Sequence, residues 1–134
     1  MPKKPAAKSS AKKYKIALVE DDKMLSKYLS ASLKSDGGFE VFTAMDGETG
    51  EKLVKDKKPD LVLLDIIMPK KNGFEVLTAL KKDKSTKKIP VIIMSNLNQQ
   101  KDIDQAKKLG AATFFVKVEM ETSEIVDKVK KFLK

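Results

Sequence analysis

Short apolar runs alternate along this chain with stretches in which apolar residues recur every three or four positions. Tyr14–Val19 is the first run and reads as a strand. From Asp22 to about Lys34, Leu25, Tyr28, Leu29 and Leu33 fall at helical spacing, with Asp22 placed to cap the first turn. Asp36-Gly37-Gly38 stops that helix. Phe39–Ala44 predicts a second strand, and Asp46-Gly47 opens a second helix running to about Asp56. Pro59 precedes a third strand at Asp60–Leu64. A third helix begins near Gly73, with Phe74, Leu77 and Leu80 on one face. Pro90–Met94 is the fourth strand, Asn98–Leu109 the fourth helix, and Ala111–Val116 the fifth strand. The last helix, about Thr122–Phe132, carries Ile125, Val126, Val129, Phe132 and Leu133 at helical spacing.

Strands alternating with helices in this way imply a parallel sheet covered on both faces. Right-handed crossovers leave few strand orders. The flavodoxin-like order 2-1-3-4-5, with five strands and five helices, is one of two common solutions. Its topological switch point lies between strands 1 and 3, and ligands of such sheets bind beyond the strand ends at that point. Glu20-Asp21-Asp22 follows strand 1, and Asp65 follows strand 3. Lys117 follows strand 5 and Ser95 follows strand 4.

Carboxylates converging in one crevice raise each other's pKa unless a cation joins them. A small oxygen-rich site with few protein ligands suits Mg²⁺. Asp21, Asp65 and Glu20 would supply oxygens, together with a backbone carbonyl from the loop after Asp65. Lys117 would neutralise a phosphoryl oxygen as a compact charge, and the Ser95 hydroxyl would meet another. Such a set can move a phosphoryl group onto Asp65 itself, since carboxylates serve as covalent phosphate acceptors. Positioning and charge neutralisation do most of the work in these transfers.

Composition narrows the choice. The chain has 134 residues, 41% of them hydrophobic, which suits one domain with one core. It has no cysteine and no histidine. Disulfides, thiolate or imidazole metal sites, and histidine acid–base catalysis are therefore excluded. No apolar run approaches the roughly 20 residues of a membrane span, and the N-terminus lacks the apolar core of a secretory signal. A cytoplasmic address is expected. Net charge is +9, carried by lysine alone. Residues 1–13 hold five lysines and no acid, whereas from Tyr14 onward 23 lysines face 19 acids. The tail 1–13 reads as disordered, either a solubilising segment or an electrostatic contact for nucleic acid or anionic surfaces. Without arginine, sequence-specific DNA binding is not expected.

Residues 14–134 resemble the receiver domain of response regulators. The resemblance rests on Val19-Glu20-Asp21-Asp22, Leu63-Leu64-Asp65-Ile66-Ile67-Met68-Pro69, Asn72-Gly73, Ser95, and Phe114-Phe115-Val116-Lys117, in that order at the strand ends. It implies that Asp65 is the phosphoacceptor and that a phosphohistidine on a sensor histidine kinase or phosphotransfer protein is the donor. It further implies Mg²⁺ on Asp21, Asp65 and the Ile67 carbonyl, with Glu20 reaching it through water. Lys117, Ser95 and the Asn96 backbone would contact the phosphate. Ser95 and Phe114 would act as the switch, biasing the surface of helix 4, strand 5 and helix 5 toward a target or a second copy. The protein would then be a phosphoacceptor that assists its own phosphotransfer rather than an enzyme.

Three positions depart from the family. Val118 stands where proline usually follows the lysine with a cis bond, and a cis bond to a non-proline residue costs about 3 kcal/mol. Asn96 brings a larger polar side chain where Ala or Gly is usual. Phe114 replaces the more usual tyrosine. Apolar Ile67 and Leu97 occupy the positions best placed to guide water, so self-dephosphorylation is expected to be slow. The chain ends soon after the fifth helix, which reads as a stand-alone receiver. The competing readings are a degenerate receiver that never takes phosphate and acts as a constitutive interaction module, and a nucleic-acid-associated protein working through its tail. A metal-dependent phosphatase would want a second acid where Ile67 stands.

Overall fold

A computed structural model describes residues 13–97 and 99–133. The tail expectation for residues 1–13 therefore lies, apart from Lys13, outside the described residues, as does the expected helical start at Asn98. Strands β1 (Lys15–Val19), β2 (Glu40–Ala44), β3 (Leu61–Asp65), β4 (Val91–Ser95) and β5 (Thr113–Val116) alternate with helices α1 (Lys23–Ser35), α2 (Gly47–Lys57), α3 (Gly73–Lys82), α4 (Gln100–Lys108) and α5 (Thr122–Leu133). A single 3₁₀ turn, Lys117–Glu119, follows β5. The five strands pair in parallel in the order β2-β1-β3-β4-β5. This is the expected flavodoxin-like topology.

Side-chain alternation along the strands builds two cores. Ile16, Leu18, Leu61, Leu63, Ile92, Met94 and Phe115 point to one face, where Leu29 and Leu33 of α1 and Ile125, Val126 and Val129 of α5 cover them. Ala17, Val19, Val62, Leu64, Val91 and Ile93 point to the other, beneath Val54 of α2, Val76, Leu77 and Leu80 of α3, and Ala106 of α4. β3 and β4 are buried along their whole length, as befits strands with helices on both sides. α4 is the thin part of this cover, because Ala106 is its one buried residue.

The helix starts are fixed locally. Asp22 accepts the Leu25 N–H at 3.1 Å and Asp46 accepts the Thr49 N–H at 2.8 Å. Asn72 and Glu75 form a reciprocal capping box ahead of α3. α4 starts at Gln100, and its N-cap Gln99 makes no side-chain bond. No helix among the described residues is long and apolar enough to cross a membrane.

Candidate functional site

Register places the site. Val19 pairs with Leu64, so the residues that follow, Glu20 and Asp65, stand as neighbours at the carboxyl end of the sheet. Glu20 is fully buried and Asp65 nearly so, whereas Asp21 is exposed. Carboxylate oxygens of Glu20, Asp21 and Asp65 lie within 4.8 Å of one another. Lys117 reaches across from the end of β5. Its Nζ donates to Glu20 Oε1 at 2.9 Å and to Asp65 Oδ2 at 3.2 Å. Glu20 Oε2 also accepts the Asp22 N–H at 3.0 Å, and Asp65 Oδ1 accepts the Ile66 N–H at 2.8 Å. Among the described residues no buried side-chain nitrogen or oxygen lacks a partner.

Burial sets the electrostatics. It pushes the Glu20 carboxyl above its ordinary value, against the pull of its hydrogen bonds from Lys117 and Asp22. Burial raises Asp65 too, opposed by Lys117 and aided by the negative charge of Asp21. For Lys117, burial works to lower its pKa, but hydrogen bonding and attraction from Glu20 and Asp65 outweigh it, and the ammonium is held above its ordinary value. The crevice thus holds three acids and one cation. Its donor atoms are all carboxylate oxygens, a hard set with spare lone pairs that fits a hard divalent ion and offers nothing to a soft one.

The loop after Asp65 is braced from several sides. Gly73 N–H donates to the Ile66 carbonyl at 2.7 Å, and a Cβ on Gly73 would stand 2.3 Å from the Asp65 carbonyl oxygen. Only glycine lets α3 approach this closely. Gly47, at the start of α2, donates to the Pro69 carbonyl at 3.3 Å, and Glu51 of α2 pairs with Lys71 in the loop. These braces were not foreseen, because they join residues far apart in sequence. Ile67, two residues beyond Asp65, is 61% exposed.

Ser95 and Asn96 sit at the end of the neighbouring β4, with their side chains engaged locally. The buried Ser95 hydroxyl accepts the Leu97 N–H at 3.2 Å. Asn96 Oδ1 accepts the Val118 N–H at 3.0 Å, so its larger polar side chain is tied to the turn after β5. Phe114 is half-buried and packs on the core beneath α2, α3 and α4. No described peptide bond is cis. Lys117–Val118 is therefore trans, and Lys117 still reaches both acids.

Two grooves of the described surface lie away from the acids. One runs beside β2, lined by Thr43, Asp46, Thr49 and Lys52, and another lies between α3 and α4, lined by Phe74, Thr78, Gln105 and Leu109.

The family model of the response regulator receiver domain matches residues 16–130. The chain belongs to the response regulator receiver family. As a receiver it is a phosphorylation-dependent switch of two-component signalling. Pseudomonas aeruginosa PilH is 38% identical over 106 residues, which make up 78% of this chain and 88% of PilH. The Synechocystis DNA-binding dual master transcriptional regulator RpaA is 32% identical over 120 residues, 90% of this receiver but 49% of RpaA. This receiver thus spans about half the length of that relative. Among solved structures, the phosphorylated cyanobacterial phytochrome response regulator RcpA superposes with a TM-score of 0.74 at 32% identity, over 90% of this chain and 91% of that one. Vibrio cholerae CheY4 superposes with a TM-score of 0.81 at 24% identity, over 89% of this chain and 98% of that one, a likeness of fold alone.

Proposed function

We propose that Asp65 is the phosphoacceptor of this receiver and that residues 14–134 form its working unit. A carboxylate oxygen of Asp65 attacks the phosphorus of a phosphohistidine on a sensor histidine kinase or phosphotransfer protein. The P–N bond breaks as the P–O bond forms, and the departing imidazole keeps a proton. The product is an acyl phosphate on Asp65. Lys117 holds its ammonium against the oxygens that gain charge. Asp21, Asp65 and the Ile67 carbonyl would hold Mg²⁺, with Glu20 reaching it through water. The ion would neutralise phosphoryl charge and bring its oxygens close to Asp65. The observation that carries this reading is the convergence of one ammonium on Glu20 and Asp65 inside a triad of carboxylates.

Exposed apolar side chains on α1 and after β5 are available to a protein donor. Met24 and Tyr28 on α1 are 81% and 69% exposed, and Val118 beside Lys117 is 73% exposed.

The acyl phosphate carries roughly two negative charges where the Asp65 carboxylate carried one, so the strand ends gain about one. Ser95 would then turn from the Leu97 amide toward the phosphoryl group, which the Asn96 backbone N–H also meets, while Phe114 moves inward. Together they bias the surface of α4, β5 and α5 toward a target protein or a second copy of the chain. Ile67 and Leu97 offer no polar atom to guide water, so the phosphorylated state is long-lived.

Mass spectrometry after incubation with acetyl phosphate and Mg²⁺ tests the reading. One added phosphate is expected, absent in Asp65→Asn. Labelling retained in that variant, or none in the wild type, removes Asp65 as acceptor. Decay of the phosphorylated protein within seconds overturns the slow-dephosphorylation claim.

A further inference from the structure

β4 and β5 pair with Ser95 beside Val116, so Asn96 and Lys117 leave the sheet side by side. From Lys117 the chain winds into one 3₁₀ turn, closed by the Met120 N–H on the Lys117 carbonyl at 3.2 Å. The first N–H groups of any helical turn have no partner within it. Val118 carries one of them, and Asn96 Oδ1 accepts it at 3.0 Å. The Val118 side chain is 73% exposed, so packing of that residue does not hold the turn in place. Asn96 is itself held, because the Ser95 hydroxyl takes the Leu97 N–H and bends the chain around it. The contact therefore ties the peptide directly after Lys117 to the rim of β4.

Lys117 has to deliver one ammonium to oxygens on two different strands, Glu20 after β1 and Asp65 in β3. Lysine does this on a flexible four-carbon stem. Where its backbone is anchored then governs how often both contacts form together. We infer that the Asn96 side chain is a positioning residue: by fixing the turn at Val118 it aims Lys117 at Asp65, and so sets the rate of phosphoryl uptake. The rate claim rests on Asp65 being the acceptor. The claim about Lys117 does not.

Three variants of the full chain separate the effects. Asn96→Ala and Asn96→Leu remove the acceptor, the second while keeping bulk. Asn96→Asp keeps an acceptor oxygen. Without any donor, ¹⁵N NMR of the first two should show a faster-exchanging Val118 amide and a shifted, broadened Lys117 ammonium signal, both restored in Asn96→Asp. With acetyl phosphate and Mg²⁺, their rate at saturating donor should fall by about three- to tenfold, the effect of one exposed hydrogen bond, with Mg²⁺ affinity unchanged. A wild-type Lys117 signal in Asn96→Ala overturns the inference. So does an unchanged rate in a protein whose wild type takes phosphate. No uptake by the wild type overturns the Asp65 reading and the rate claim with it, while the donor-free NMR still judges the aiming of Lys117.

Discussion

Replacing Lys117 by methionine keeps most of the side-chain volume and removes the one charge that joins Glu20 to Asp65. The ammonium side chain retains 14% exposure, while those of Glu20 and Asp65 retain 0% and 6%. Breaking a buried pair by deleting one partner costs roughly 3–5 kcal/mol. The residual exposure of Lys117 favours the low end, about 3 kcal/mol at neutral pH. For a domain of this size that is a fall of about 10 °C in Tm. The pH dependence identifies the cause. Burial already holds both acids above their ordinary values of 4.5 and 3.8, with Lys117 opposing the shift. Without Lys117 both move further up. An acid raised in the folded state contributes stability that is full below its unfolded pKa and is lost as pH rises through its folded pKa. The deficit of Lys117→Met should therefore be under about 1 kcal/mol near pH 4 and open as pH climbs to 7. Lys117 itself is raised above its ordinary 10.5, so it stays charged throughout that range and only the two acids titrate. Urea unfolding at fixed ionic strength, without Mg²⁺, measures both ends. Equal deficits at the two pH values would show that lost packing, and not the stranded carboxylates, sets the cost.

Other outcomes follow from the same geometry. Mg²⁺ at one hundred times its Kd should stabilise the wild type by about 2.7 kcal/mol, and a thermal melt that ignores Mg²⁺ counts against the acid triad as its site. Asp65→Asn without Mg²⁺ should unfold at higher denaturant than the wild type at neutral pH, because it removes a buried charge whose pKa burial has raised; a lower midpoint would contradict this. Gly73→Ala places a methyl group against the Asp65 carbonyl and should cost about 1–3 kcal/mol by overpacking, with weaker Mg²⁺ binding by calorimetry. A variant as stable as the wild type would show that α3 has room to shift.

Much of this was legible in the sequence, because strand and helix periods differ and the strands carry long apolar runs. Leu61–Leu64 reads as a buried strand, and its register beside Ile16–Val19 brings Asp65 to Glu20. Asp22, Asp46 and Asn72 announce the helix starts through their short polar side chains. What stayed hidden was short or non-local. Three residues, Lys117–Glu119, are too few to show a period, so the 3₁₀ turn had no signal. β5 begins at Thr113 rather than Ala111, since Ala111 and Ala112 look equally apolar in a strand or a loop. The sequence sets Asn96 beside the phosphate site, yet its side chain bonds a peptide 22 positions away, a pairing that depends on β4–β5 register. Gly47 and Glu51 brace the loop after Asp65 for the same kind of reason.

α4 buries one side chain, that of Ala106, and its N-cap Gln99 makes no side-chain bond to its first turn. Its backbone amides should trade protons with solvent sooner than those of α3 or α5, and a protease should nick it first. Because it buries so little, a mutation on its outer surface has little folded structure to upset. Recognition by new targets could drift there from generation to generation while the aspartate at the rim kept the same chemistry.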